Sequence, residues 1–158
     1  MINTINTILI ISILTYEMID INDINIGTKQ INDISQTDIM VIKGKPNNIK
    51  KLFDPIVDDE PTIILNYKDE YIKFQYGKIK EFYLNSRDIN MNSGMFFNNF
   101  NKIKQLFPKS FENCIISNDG KYSIARLKIY KDLLETDTYL DLLFIDNEIV
   151  KVRYWKDL

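Results

Sequence analysis

The chain has 158 residues, 45% hydrophobic and 27% charged, with a formal net charge of −2. That is too apolar for disorder and long enough for a continuous core. It contains no histidine and a single cysteine, Cys114. Their scarcity excludes Ser-His-Asp and Cys-His nucleophiles, histidine zinc sites, an internal disulfide and a Cys-x-x-Cys centre.

In chain order, residues 5–14 (Ile-Asn-Thr-Ile-Leu-Ile-Ile-Ser-Ile-Leu) read as a buried strand of β-branched side chains. No Lys or Arg precedes them, no small-residue cleavage site follows, and the run is shorter than the roughly 20 residues that span a bilayer. The expected address is therefore the cytoplasm, in line with the missing disulfides. Ile24 and Ile26 alternate with polar neighbours before Gly27. Ser35 with Asp38 predicts a capping box and a helix of about two turns. Ile39 and Ile42 are spaced to face the core, and Gly44 and Pro46 end the helix. Residues 50–61 read as an acidic loop. Strands are predicted at 62–67, 70–76 and 78–85, with tight turns at Lys68-Asp69 and Gly77.

The pattern then repeats. Asn92-Ser93-Gly94 opens a second helix whose apolar face is Phe96, Phe97, Phe100, Ile103, Leu106 and Phe107, and Pro108 closes it. An apolar residue lies three places after each proline, Ile49 and Phe111. Asn118-Asp119-Gly120 marks a turn, and strands follow at 121–130, 138–145 and 148–155, the last two joined by Asp146-Asn147. Val150, Val152 and Tyr154 face inward. The expectation is one α+β domain: an N-terminal strand segment (1–26) and two tandem helix–antiparallel meander repeats (27–90 and 91–158). Together these form a sheet with helices on one face.

Several constellations stop short of chemistry. Asp58-Asp59-Glu60 and Asp69-Glu70 lack a phosphate cradle and read as solvated loop. Asp20 to Asn25 fails the EF-hand pattern because Ile24 and Asn25 hold positions that need a ligand and a glycine. There is no Gly-rich phosphate loop. Cys114, beside Ile115 and Ile116, reads as a buried structural thiol. No catalytic residue, metal or cofactor is expected. The lysines around Pro46 and Pro108 read as solvated helix ends, and a sequence pI of about 5.2 argues against nucleic acid.

The informative surface is the polar side of the sheet. Alternation puts Tyr71, Lys73, Gln75, Glu81, Tyr83, Tyr139, Asp141, Lys151, Arg153 and Trp155 on the face away from the helices. Tyr, Trp and Arg are the side chains most enriched at binding hot spots.

The run Ile26-Gly27 through Asp38-Ile39-Met40-Val41-Ile42-Lys43-Gly44-Lys45-Pro46 is backed by Tyr71-Ile72-Lys73-Phe74 and Gly77-Lys78-Ile79. Its second copy is Ile103-Lys104-Gln105-Leu106-Phe107-Pro108-Lys109-Ser110. Over about residues 24–156 the chain resembles the β-lactamase inhibitor protein group and the related small outer-membrane-assembly lipoproteins. The resemblance implies tandem repeats that build a sheet able to hold a partner protein, and binding rather than catalysis. The lipoprotein branch implies an export signal and an anchoring cysteine, neither of which is expected here. The functional expectation is a protein-binding module, a toxin immunity or inhibitor protein. Its partner would be a protein such as a basic toxin domain, with no nucleic acid or membrane partner. An envelope assembly protein with an atypical export signal is the alternative.

Overall fold

The computed structural model describes residues 16–157, so the strand expected at 5–14 lies outside the described residues. The chain enters through β1 (Met18–Asp20), a 3-10 turn at Ile21–Asp23, β2 (Ile24–Ile26) and β3 (Lys29–Gln30), then forms α1 (Gln36–Lys43). Strands β4 (Asn48–Leu52), β5 (Thr62–Asn66), β6 (Tyr71–Gln75) and β7 (Lys78–Asn85) follow, with a second 3-10 turn at Ser86–Asp88 leading to β8 (Ile89–Met91). The chain closes with α2 (Phe100–Leu106), α3 (Pro108–Glu112), β9 (Ile115–Ile116), β10 (Ser123–Lys131), β11 (Leu134–Ile145) and β12 (Glu148–Lys156). The fold is α+β and mostly sheet. Among the described residues no helix is long and apolar enough to cross a membrane.

Among the described residues nine strands form one sheet in the order β1-β10-β11-β12-β7-β6-β5-β4, with β9 also paired to β10. The order β3-β2-β8 makes a smaller sheet. Register aligns Leu65, Ile72, Phe82, Tyr154, Leu140 and Leu127 in one row across β5, β6, β7, β12, β11 and β10. All six are buried, and they join Ile39 of α1, Phe100 and Ile103 of α2, Phe111 of α3 and the small sheet's Ile24, Ile26 and Ile89 in one core cluster. Successive strand residues point to opposite faces, so burying this row turns the intervening polar residues outward. Tyr76 (φ 53°) and Gly77 (φ 68°) form the two-residue turn between β6 and β7, with both central residues left-handed as such hairpins require.

The α1 cap has the expected form. Ser35 Oγ accepts from the Asp38 amide at 3.1 Å, and Asp38 Oδ2 accepts from the Ser35 amide at 2.9 Å. Lys29 Nζ also donates to Asp38 Oδ1 at 2.8 Å. Lys29 first, then Ser35, holds the Asp38 carboxyl at about 2 against an ordinary 3.8. Because its folded value is depressed, this carboxylate contributes stability above pH 3.8, and the contribution is lost as pH falls to about 2. Asp38→Asn is expected to flatten that part of the acid-unfolding profile, read as thermal midpoint against pH by circular dichroism. An unchanged slope would contradict the capping role.

Several expectations are corrected. Part of the 50–61 loop is the edge strand β4, whose residues are all exposed, Ile49 included. With both faces of this edge strand exposed, it carries no alternation to read. Ile42 is partly exposed rather than core, and its side chain lies over Gly27, where a Cβ would come within 3.0 Å of Ile42 Cδ1. The second helix begins at its Asn99 cap, not at Asn92. The Gly94 amide donates to the Met91 carbonyl (2.8 Å) and the Phe97 amide to the Ile89 carbonyl (3.0 Å), committing 92–97 to a turn against β8. Phe96 and Leu106 are consequently exposed, whereas Phe97, Phe100, Ile103 and Phe107 are buried. Pro108 opens α3 rather than closing a helix, because proline is suited to a first turn whose amide needs no partner. β11 starts at Leu134, four residues early, because Asp132 and Leu133 (φ 51° and 64°) make a tight turn. A register shift places Leu143 opposite Lys151 and Phe144 opposite Ile149, so Val150 is the bulged residue and Ile149 takes the inward place. Cys114 is exposed just after α3, not a buried thiol.

Candidate functional site

The outward residues line up across the sheet as the core residues do. Tyr71, Tyr83, Arg153, Asp141 and Arg126 are successive register partners across β6, β7, β12, β11 and β10. In the neighbouring positions Lys73 lies opposite Glu81, and Trp155, Tyr139 and Lys128 form a second run. Lys151 sits between Asn85 and Leu143. Gln75 lies at the end of β6, where its Nε2 donates to the Glu60 carbonyl at 3.0 Å and ties the acidic loop to the edge of this face. The ten residues singled out from alternation thus share one surface.

They do not share one environment. Asp141 is 1% exposed. Arg126 grips it with both ends of its fork, Nε to Oδ1 at 2.7 Å and Nη2 to Oδ2 at 3.0 Å, while Trp155 Nε1 donates to Oδ2 at 2.9 Å. Bidentate pairs of this kind are directional and strong, and Asp141 holds the Arg126 guanidinium above its ordinary value. The Arg126 guanidinium carbon lies 4.9 Å from the Trp155 ring centroid and 5.5 Å from that of Tyr139, and the two rings stack at 5.1 Å. Lys151 is also buried, and its Nζ donates to Asp69 Oδ2 at 2.8 Å while lying 5.3 Å from the Tyr83 ring centroid. Asp141 and Lys151 therefore position their neighbours rather than meeting solvent.

Tyr71 and Tyr83 stack at 6.1 Å. The Tyr71 hydroxyl and Lys73 Nζ (2.9 Å) both donate to Glu81. Burial alone would raise the Glu81 carboxyl, but the Tyr71 and Lys73 donors outweigh it and hold it low. Burial and then Glu81 push the Tyr71 phenol upward, and burial and then Tyr122 push Tyr83 to about 12. Both phenols stay neutral across the physiological range. Tyr71, Lys73, Gln75, Glu81, Tyr83, Tyr139, Arg153 and Trp155 are half-buried. The surface is held by cross-strand contacts before anything docks on it, which lowers the ordering cost of binding.

Two parts of this surface escaped the sequence reading. Arg126 and Lys128 belong to it because Ala125, Leu127 and Ile129 are buried and β10 alternates. The segment from Ile115 to Asn118, which carries β9 along the edge of β10, borders an open cleft of about 410 Å³ lined also by Arg126, Asp141 and Arg153. No local periodicity announces a two-residue strand. Among the described residues no group of three or more acidic or cysteine side chains is placed to hold a metal ion.

No family model and no curated protein matches the chain. Among solved structures, an extracellular protein containing a SCP domain from Bacillus anthracis str. Ames is similar at 16% identity and a TM-score of 0.38. The alignment covers 83% of this chain and 46% of that one, so the chain spans about half that protein's length. A likeness at this level bears on neither fold nor function.

Proposed function

We propose that this chain is a protein-binding module that works by occlusion, without catalysis, as a cytoplasmic immunity or inhibitor protein against a bacterial toxin. The observation that carries the reading is the five-strand row from Tyr71 to Arg126, a rigid surface of aromatic and charged groups. The acidic residues Asp54, Asp58, Asp59 and Glu60 adjoin it through Gln75 and would steer a basic partner domain.

The same proposal includes a duplicated architecture with its helices on one side, as the resemblance to the β-lactamase inhibitor protein group implies. Three features support it. From its middle, where β7 and β12 are adjacent, the sheet runs outward from β7 to β4 on one side and from β12 to β10 on the other, with β9 paired to β10. Each half then supplies four strands rather than three, following one helical region. The buried residues of α1, α2 and α3 share the core with the inward row. Finally, Asp23-Ile24-Asn25 and Asp88-Ile89-Asn90 precede the two helical regions, and Asn25 pairs directly with Asn90.

Affinity capture in the native host tests the function. Tagged wild type is expected to retain one stoichiometric protein that a folded Tyr83→Ala/Trp155→Ala variant releases. Adding wild type back should suppress the captured protein's own activity. Equal retention by both versions would remove the face from the account.

A further inference from the structure

We propose that the cleft between β9 and the Tyr71–Arg126 row receives a carboxylate side chain of the bound partner, flanked by an apolar residue, with Arg153 as its cation. The inference rests on the polar face being a binding surface and names the group that anchors there.

The charge arrangement is uneven. Around the row, Lys73, Arg126 and Arg153 face two carboxylates, Glu81 and Asp141. Arg126 and Trp155 take up the Asp141 oxygens, and Tyr71 and Lys73 take up those of Glu81. Arg153 has no carboxylate within hydrogen-bonding distance: its Nη2 stands 3.6 Å from Glu81 Oε1, and its guanidinium carbon lies 5.2 Å from the Trp155 ring centroid. Its Nε is out of solvent and has no partner among the described residues. A buried donor without an acceptor is costly, so native structures rarely leave one unused. The Arg153 side chain is nevertheless 43% exposed. Its guanidinium can turn its Nε edge toward the cleft by giving up the long contact to Glu81 and its place over the Trp155 ring, neither of them a hydrogen bond. It would then make the side-on pair that Arg126 already makes with Asp141.

The cleft fits the rest of such a group. Ile115, Ile116 and Leu143 provide apolar wall beside the Tyr71 and Tyr83 rings. Its volume of about 410 Å³ suits a side chain with part of a neighbour, within the usual range for ligand pockets. One uncompensated positive charge matches a single carboxylate. A phosphate dianion would bring a second negative charge beside Asp141 and Glu81 and leave it unpaired.

The test is an NMR titration of the isotope-labelled full chain with acetyl-Leu-Asp-Leu-amide, acetyl-Leu-Asn-Leu-amide and hexanoate, each up to roughly 50 mM, the weak range expected of small ligands. The Asp peptide is expected to shift amides around Ile116 and Arg153 saturably. It should bind about tenfold or more tightly than the Asn peptide, and more tightly than hexanoate. Arg153→Gln should abolish the difference between the peptides. So should Ile116→Asp, a change at an exposed position that places a competing carboxylate at the cleft without touching the core. Equal binding of the two peptides, hexanoate binding as tightly as the Asp peptide, wild-type behaviour of Arg153→Gln, or no saturable shift would each overturn the inference. Capture from the native host separates the two levels. A partner retained equally by wild type and Arg153→Gln sinks the cleft assignment alone, whereas no partner on wild type removes the binding face itself.

Discussion

Lys43→Met is expected to destabilise the protein by about 3–5 kcal/mol at neutral pH, the usual cost of stranding a buried charge. Lys43 is the last residue of α1, and its Nζ donates to Glu70 Oε1 and Oε2 (3.0 and 2.9 Å) and to Asp88 Oδ2 (2.8 Å). The Lys43 and Glu70 side chains are each only 9% exposed. Glu70 also accepts from the Asn85 amide at 2.9 Å, so this ammonium joins α1, the turn between β5 and β6, and the end of β7. Burial would lower the Lys43 ammonium, but Asp88 and Glu70 outweigh it and raise it above its ordinary 10.5. A raised folded value means that the contribution is complete below pH 10.5 and is lost as pH climbs through the folded value, so it operates in full at pH 7. In Lys43→Met two carboxylates face each other without a cation. Lys43→Met/Glu70→Gln, which removes one of the two stranded carboxylates, should therefore recover part of the loss. Urea unfolding at pH 7 measures this. A loss below about 1 kcal/mol, typical of an exposed pair, would contradict the assignment.

Phe82→Ala should cost a similar amount, about 3–5 kcal/mol, for a different reason. Phe82 is fully buried on β7 and lies opposite both Ile72 on β6 and Tyr154 on β12. Its ring stacks on Tyr154 with centroids 5.5 Å apart and planes 17° apart. This contact lies where β7 meets β12, and truncation leaves a cavity at the junction of the two chain halves. Cavities at such a site close poorly, because sheet strands cannot move together without breaking register. Denaturant unfolding should show a lower midpoint with an unchanged slope. A cost under about 1.5 kcal/mol would mean that the halves do not depend on this contact.

The parts of the fold legible in the sequence are those with one wet and one dry face. β6, β7 from Glu81 onward and β12 from Val152 onward alternate cleanly, and the side of Tyr71, Lys73, Tyr83, Arg153 and Trp155 follows from that alternation alone. The capping box of α1 was legible because its two partners are three residues apart. What escaped depends on distant neighbours. β4 exists only because β5 offers it an edge, and β9 only because β10 does. Asp141 looked like a surface carboxylate, yet Arg126 and Trp155 cover it from neighbouring strands. The matching Asp-Ile-Asn triplets that bring Asn25 and Asn90 together stand 65 residues apart. Three residues are readable in the sequence but short enough to overlook.

Site-specific photo-crosslinking in the native host tests whether a partner covers the polar face of the sheet. A benzoylphenylalanine placed at Gln75 or Tyr139 would report on that face. The same group at Val41 on α1 (81% exposed) or at Ile56 in the acidic loop (92% exposed) would report on other surfaces. The account predicts one protein adduct from Gln75 and Tyr139 and none from Val41. An adduct from Val41 or Ile56, with none from the two sheet positions, would contradict it.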